Sequence, residues 1–141
     1  MDTLASNIPR GSEGLVFHPN FQGSLVNPYL KADFIGITHR HTTGHLLRAI
    51  LEGVGFSLNE CIMREKKLGV KANKYKIIGG GSKSKFWNQI ICDITGKKIV
   101  VPAEDDSSFG TALLAAVTVG FFTSLNDSVK KCVKIKETLQ P

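Results

Sequence analysis

Long apolar runs are missing from this sequence. No stretch approaches the ~20 consecutive apolar residues that a membrane-crossing helix needs. Met1-Asp2-Thr3-Leu4-Ala5-Ser6 lacks the basic start and apolar core of a secretory signal. Neither a membrane protein nor a secreted one is expected. Cysteine is scarce: Cys61, Cys92 and Cys132 are odd in number, far apart and form no CxxC pair. Each falls in an apolar helical context, so buried, reduced thiols are expected, as in a cytoplasmic protein. Internal repeats and low-complexity segments are absent as well. Acidic residues are the minority, 12 against 18 lysines and arginines, which leaves a net charge of +6. That excess suits an anionic partner such as a nucleotide or phosphorylated metabolite, or simply a solvated basic surface. The lysines are not interleaved with aromatics as a strand-binding platform requires, so no nucleic-acid partner is expected.

What is present describes one globular domain. The 141 residues are 42% hydrophobic and 21% charged, enough to bury a core. Residues 1–33 read as an irregular lead-in, broken by Pro9, Gly11, Gly14, Pro19, Gly23 and Pro28, with one strand-like patch at Leu15-Val16-Phe17. Phe34-Ile35-Gly36-Ile37 reads as a short buried strand opening a core over 34–122. From Thr42 or Thr43, apolar residues recur at three- and four-residue steps through Leu46, Leu47, Ile50, Leu51, Val54, Leu58, Cys61 and Ile62. This predicts an amphipathic helix to about Lys67, stopped at Gly69. Gly53 and Gly55 within it predict close packing against another backbone.

A strand at Tyr75-Lys76-Ile77-Ile78 follows, then a helix capped by Ser82 or Ser84 with an inner face of Phe86, Trp87, Ile90, Ile91 and Ile94. Gly96 ends that helix, and Ile99-Val100-Val101 is a second strand closed by Pro102. A third helix from Ser107 or Ser108 to Gly120 carries small residues that again predict close packing. A last helix spans Asn126 to about Ile135, inside a C-terminal extension over 123–141. Strand, helix, strand, helix between 75 and 120 is a βαβ unit with parallel neighbouring strands, so the class is α/β. Only three or four strands are visible, few for a self-contained sheet.

The sharpest local feature is Gly79-Gly80-Gly81-Ser82-Lys83-Ser84-Lys85, between a strand end and a helix start. Glycines let the backbone approach a ligand without Cβ obstruction, and the helix start favours an anion. Lys83 and Lys85 add charge. A tight turn with no ligand is the competing reading. The dinucleotide fingerprint is incomplete, because serine stands where a third glycine or alanine belongs, and there is no Walker lysine motif. Local chemistry supports a nucleotide and goes no further.

Other groupings carry less. His39, His41 and His45 lie close together, but no cysteine or acidic residue is spaced to complete a zinc site, so no metal site is expected. Asp93-Ile94-Thr95-Gly96 imitates an aspartic protease triplet but falls at a helix end without a second copy. Glu104-Asp105-Asp106 is expected to cap the third helix, the alternative being a metal-nucleotide site.

Together these segments resemble the C-terminal domain of the FGGY carbohydrate kinases, most closely the xylulokinase-like branch. Residues 32–52 satisfy that family's C-terminal signature at Ala32, Phe34, Gly36, Ile37, His45, Leu46, Ala49, Ile50, Leu51 and Glu52. Gly79 to Ser84 resembles the family's adenosine-binding turn, and Ser107-Ser108-Phe109-Gly110-Thr111-Ala112 its small-residue helix start. Leu15 to Gly23, with Pro28 and Tyr29, is similar to the segment before the signature. The resemblance implies a ribonuclease H-like (actin-like ATPase) lobe, incomplete, with a βαβα core. It also implies transfer of the γ-phosphoryl of ATP, with Mg2+, to a sugar hydroxyl by an aspartate base.

By that resemblance Gly80 and Gly81 face the nucleotide, and Ser82 to Lys85 open the helix beside the adenosine. Lys85 stands where the family often has asparagine. The family's catalytic aspartate and most sugar contacts belong to an N-terminal lobe, and no Asp-x-Gly-Thr phosphate loop occurs here. The expectation is therefore a truncated C-terminal domain with no catalytic residue of its own and no turnover alone. Xylulose is the sugar that overall resemblance favours, although gluconate, ribulose and glycerol kinases share this half. Two alternatives are a non-catalytic nucleotide-binding or interaction domain on the same scaffold and a small dinucleotide-binding module. A lobe without its partner also leads one to expect self-association through exposed apolar surface.

Overall fold

Leu47, Leu51 and their helical neighbours build the longest element of the protein, α2 (Thr43–Lys67). The computed structural model describes residues 1–23, 27–104 and 106–141. Ahead of α2 come α1 (Asp2–Ser6), β1 (Val16–His18) and β2 (Asp33–Ile35). After it come β3 (Lys74–Lys76), α3 (Lys85–Thr95), β4 (Lys98–Pro102), α4 (Ser107–Thr118), α5 (Leu125–Cys132) and β5 (Ile135–Leu139). The two sheets are an antiparallel pair, β1–β2, and a three-stranded sheet in the order β3-β4-β5. In the latter, β3 and β4 are parallel and β5 is antiparallel to β4. The architecture is mixed α/β, and the expected βαβ unit is there.

Apolar contacts stack these elements in sequence. Leu15 and Phe17 pack on Ala49, setting the β1–β2 pair against α2. Ala5, Leu51 and Ile90 join α1, α2 and α3. Ile91, Cys92, Ile99 and Leu139 join α3 to the three-stranded sheet. Full burial of a leucine or isoleucine contributes about 1.5–3 kcal/mol, so these clusters are the main driving force. Trp87 touches the last two clusters, and its indole N–H donates to the Leu51 carbonyl at 3.2 Å. Both ends of the chain reach α3. The Ser84 hydroxyl donates to Asp2 Oδ2 at 2.6 Å, and Gln89 Nε2 donates to the Gln140 carbonyl at 2.9 Å.

Polar bonds fasten the loop before β1 to α2. Glu52 accepts from the Gly11 amide at 3.1 Å, from Ser12 Oγ at 3.4 Å and from Arg48 Nε at 2.6 Å. His45 Nδ1 accepts from the Thr42 amide at 3.1 Å at the helix start, and its Nε2 lies 3.7 Å from Glu13. Several signature positions thus have structural work within the chain. Gly53 has its reason too, since a Cβ there would collide with the Phe17 carbonyl. At Gly55 the neighbour is the Ile94 side chain and not a backbone.

Several expectations need correction. Residues 1–33 are not irregular throughout: they hold α1 and β1 and bury Ala5, Leu15 and Phe17. The strand expected at 34–37 is not buried; Ile35 is 57% and Ile37 60% exposed, because among the described residues β2 has one partner strand and one covered face. β3 is shifted to Lys74–Lys76. The last helix ends at Cys132, and the chain then makes β5, which was not foreseen. Cys61 is exposed, not buried; all three cysteines are free. The small residues of α4 do not pack closely within this chain: Gly110, Thr111, Ala112 and Ala115 are exposed, and a Cβ at Gly110 would meet nothing within 4 Å. No helix among the described residues is long and apolar enough to cross a membrane.

Candidate functional site

The chain leaves the sheet immediately after β3. The Ile77 amide still bonds the Val100 carbonyl at 3.1 Å, and then Gly79 turns with φ +83° and ψ −168°. That backbone region is essentially reserved for glycine. Gly80–Lys83 forms one tight turn in which the Ser82 amide bonds the Gly79 carbonyl at 3.0 Å. The Ser82 hydroxyl donates to the same carbonyl at 2.7 Å. Ser84 then caps α3 by accepting from the Trp87 amide at 3.0 Å, which settles the choice between Ser82 and Ser84. Asn88, from the first turns of α3, donates to the Ser82 carbonyl at 2.8 Å.

This turn forms one wall of a cleft of about 630 Å³. Parallel strands bring their C-terminal ends together, so the loop after β3 faces the segment after β4. Lys76, Ile78, Gly79, Gly80 and Lys83 line the first side. Pro102, Glu104 and Asp106 line the second, Phe109, Gly110 and Leu113 of α4 the third, and Val129 and Val133 the floor. Asp106 is also the cap of α4, its carboxylate accepting from the Ser108 amide at 2.8 Å. The expected capping role of the acidic run therefore falls on Asp106, while Asp105 lies outside the described residues.

The residues singled out from sequence divide into two groups. Gly79, Gly80 and Lys83 line the cleft, and a Cβ at either glycine would meet no atom within 4 Å. The others have partners inside the protein. A Cβ on Gly81 would come within 2.5 Å of Trp87 Cζ3, so that glycine seats the indole ring. Ser82 is buried beneath the turn, and Ser84 is held by Asp2 and the start of α3. Lys85 pairs with Glu137 of β5 at 2.6 Å. The sequence reading had missed the apolar walls at Pro102, Leu113, Val129 and Val133. The βαβ pattern carries the signal for Pro102, since it makes the ends of β3 and β4 neighbours. Among the described residues, no three His, Cys, Asp or Glu side chains gather closely enough to hold a metal ion.

Chemically, the cleft offers bare main chain, apolar walls, two lysines on one side and the carboxylates of Glu104 and Asp106 on the other. That combination fits a flat, partly apolar ligand whose anionic part lies at the lysine side. The sequence model of the FGGY family of carbohydrate kinases, C-terminal domain, matches residues 1–119. Xylulose kinase of Staphylococcus epidermidis is 34% identical over 98% of the chain, and glycerol kinase 2 of Saccharolobus solfataricus 34% identical over 97%. The chain spans 29% and 28% of those two proteins. The crystal structure of xylulose kinase from Rhodospirillum rubrum matches 99% of the chain at TM-score 0.84 and 30% identity, over 28% of its own length. That of Plasmodium falciparum glycerol kinase with ADP matches 99% at TM-score 0.82 and 28% identity, likewise over 28% of its length.

Proposed function

The chain belongs to the FGGY family of carbohydrate kinases through their C-terminal domain, and we propose that it is the nucleotide-holding part of an ATP-dependent sugar kinase. One observation carries the reading: Gly79 and Gly80 present bare main chain to the cleft at the joined ends of β3 and β4. A flat purine suits walls made by Ile78, Pro102, Phe109 and Leu113. Lys83, on the same rim, suits the phosphate chain. The glycerol kinase structure with ADP lends support by its fold similarity to this chain.

ATP supplies the phosphoryl group, with Mg2+ as counter-ion of its phosphates. Phosphoryl transfer is mostly positioning and charge neutralisation, so the contribution of these residues is a rigid seat. The turn is rigid because Asn88, Ser82 and Trp87 hold it from beneath. The general base and most sugar contacts are assigned to the remaining length of a kinase several times longer. Xylulose or a related ketose or polyol is the proposed acceptor, on the names of the relatives. A cytoplasmic setting fits three free thiols.

The test uses the lone tryptophan, Trp87, which touches the glycine turn. Titrating ATP into the 141-residue chain should change Trp87 emission saturably. Gly80→Val should weaken ATP by about tenfold or more, near 1.4 kcal/mol, without moving the urea midpoint. Unchanged affinity in that variant overturns the reading. The chain alone should not phosphorylate any member of a pentulose panel, and robust turnover would refute that part.

A further inference from the structure

A second cavity, of about 500 Å³, opens at the other end of the parallel strands. It lies between the last turns of α2, the connection to β3 and the start of β4. We infer that it is a binding site for the phosphate monoester of a small polyol, separate from the glycine-turn cleft. The inference does not depend on the nucleotide reading.

Its lining has a consistent chemistry. Lys66, Lys71 and Lys97 contribute three ammonium groups, and no carboxylate lines it. Lys97 Nζ donates to the Ala72 carbonyl at 3.0 Å, which holds that ammonium in place. Lys66 and Lys71 have no ion pair or side-chain hydrogen bond among the described residues, nor do the amides of Asn59 and Asn73. The nearby carboxylate of Glu65 accepts from the Tyr75 hydroxyl at 2.9 Å.

The ligand class follows from these groups. A phosphate monoester carries close to two negative charges near neutral pH and three acceptor oxygens, a match for three lysines lining one cavity. Asn59 and Asn73 provide donors and acceptors for hydroxyls. Ile62, Met63 and Val70 give the carbon skeleton an apolar wall. The volume lies within the usual range for small-molecule sites. β4 separates this cavity from the glycine turn by about 13 Å, too far for one small ligand to bridge. A nucleic acid would want stacking surfaces, and the one aromatic here, Tyr75, has its hydroxyl engaged by Glu65.

The experiment is amide chemical-shift mapping on the 141-residue chain with ribose 5-phosphate, inorganic phosphate and ribose. Ribose 5-phosphate should shift residues 59–75 and Lys97 saturably, phosphate more weakly, and ribose not at all. Lys66→Gln with Lys71→Gln should weaken the ester by about tenfold or more. Lys130→Gln with Lys131→Gln on α5 should leave it unchanged. Absence of saturable shifts in the unsubstituted chain overturns the proposal by itself. So do shifts centred on residues 76–83, equal weakening by the α5 pair, or capture of a single-stranded oligonucleotide in preference to the ester.

Discussion

Asn88 Nδ2 donates to the carbonyl of Ser82 across 2.8 Å, so α3 grips the turn that precedes it. Both residues are buried, and Asn88 Oδ1 has no hydrogen-bond partner among the described residues. An unsatisfied buried acceptor is unfavourable, so this asparagine is held for its donor. Asn88→Ala should destabilise the fold by about 1–3 kcal/mol, read from urea midpoints. Asn88→Asp should be worse, because it sets a buried anion against a carbonyl. Equal stability of all three proteins would show that the bond contributes nothing.

Gly80 and Gly81 are neighbours with opposite predicted sensitivities. Gly81→Ala forces a methyl into Trp87 and should lower stability by about 1–3 kcal/mol, with a shift of tryptophan emission before any ligand is added. Gly80→Ala should leave the melting temperature and emission near those of the native chain, since its new Cβ meets nothing. Identical melting of both variants would contradict the assignment of Gly81 to the indole.

Glu52 is the hub that secures the loop before β1. Removing it by Glu52→Ala leaves Arg48 buried and unpaired, with Gly11 and Ser12 also losing their acceptor. A loss of about 3–5 kcal/mol is expected. Glu52→Gln keeps an acceptor oxygen and should lose less. Protease cleavage near residues 10–14 should accelerate in the alanine variant, and an unchanged cleavage rate there would count against the tether.

The three thiols should react at very different rates. Burial pushes the Cys92 thiol above its ordinary pKa, with the charge of Asp93 adding to the effect, and its Sγ donates to the Lys97 carbonyl at 3.1 Å. Less thiolate and no access make it inert while folded. Cys61, exposed on α2, should label first with a disulfide reagent at pH 8, and Cys92 only on unfolding. Prompt labelling of Cys92 under native conditions would remove it from the core.

Acid should loosen α5 in a defined way. The hydrogen bond from Lys131, at 3.0 Å, holds the Asp127 carboxyl below its ordinary pKa, helped by Thr123. A depressed folded value means the stabilisation is complete above the unfolded carboxylate pKa, near 4, and is lost as pH falls through the lower folded value. Amide exchange across Leu125–Cys132 should rise in that acid window and should be already raised, and flatter with pH, in Asp127→Asn. A native-like profile in the variant would argue against the pair.

Much of this was legible from residue order. The 3.6-residue recurrence from Leu46 to Ile62 located α2 almost to its ends, and Gly96 marked the close of α3 because it adopts φ +61°. The glycine turn stood out because three glycines in a row serve few other ends. β5 did not, since Ile135-Lys136-Glu137-Thr138-Leu139 is largely polar and takes its strand form from pairing with β4. α1 is only one turn long and is kept by Ala5 packing on α2 and α3, a tertiary effect with no local trace. The division within Gly79–Lys85 was equally hidden. Which glycine meets solvent and which meets an indole depends on where Trp87 lands, and which lysine stays at the cleft depends on Glu137 arriving from β5.

Because Asp2 and Gln140 reach the same helix at Ser84 and Gln89, their anchor points are five residues, or about 7.5 Å of helical rise, apart. A helix turns by about 100° per residue, so those five residues also carry the two anchors to different sides of α3. A bulky group placed at Asp2 or Gln140 would therefore press, from either side, on the helix that carries the glycine turn.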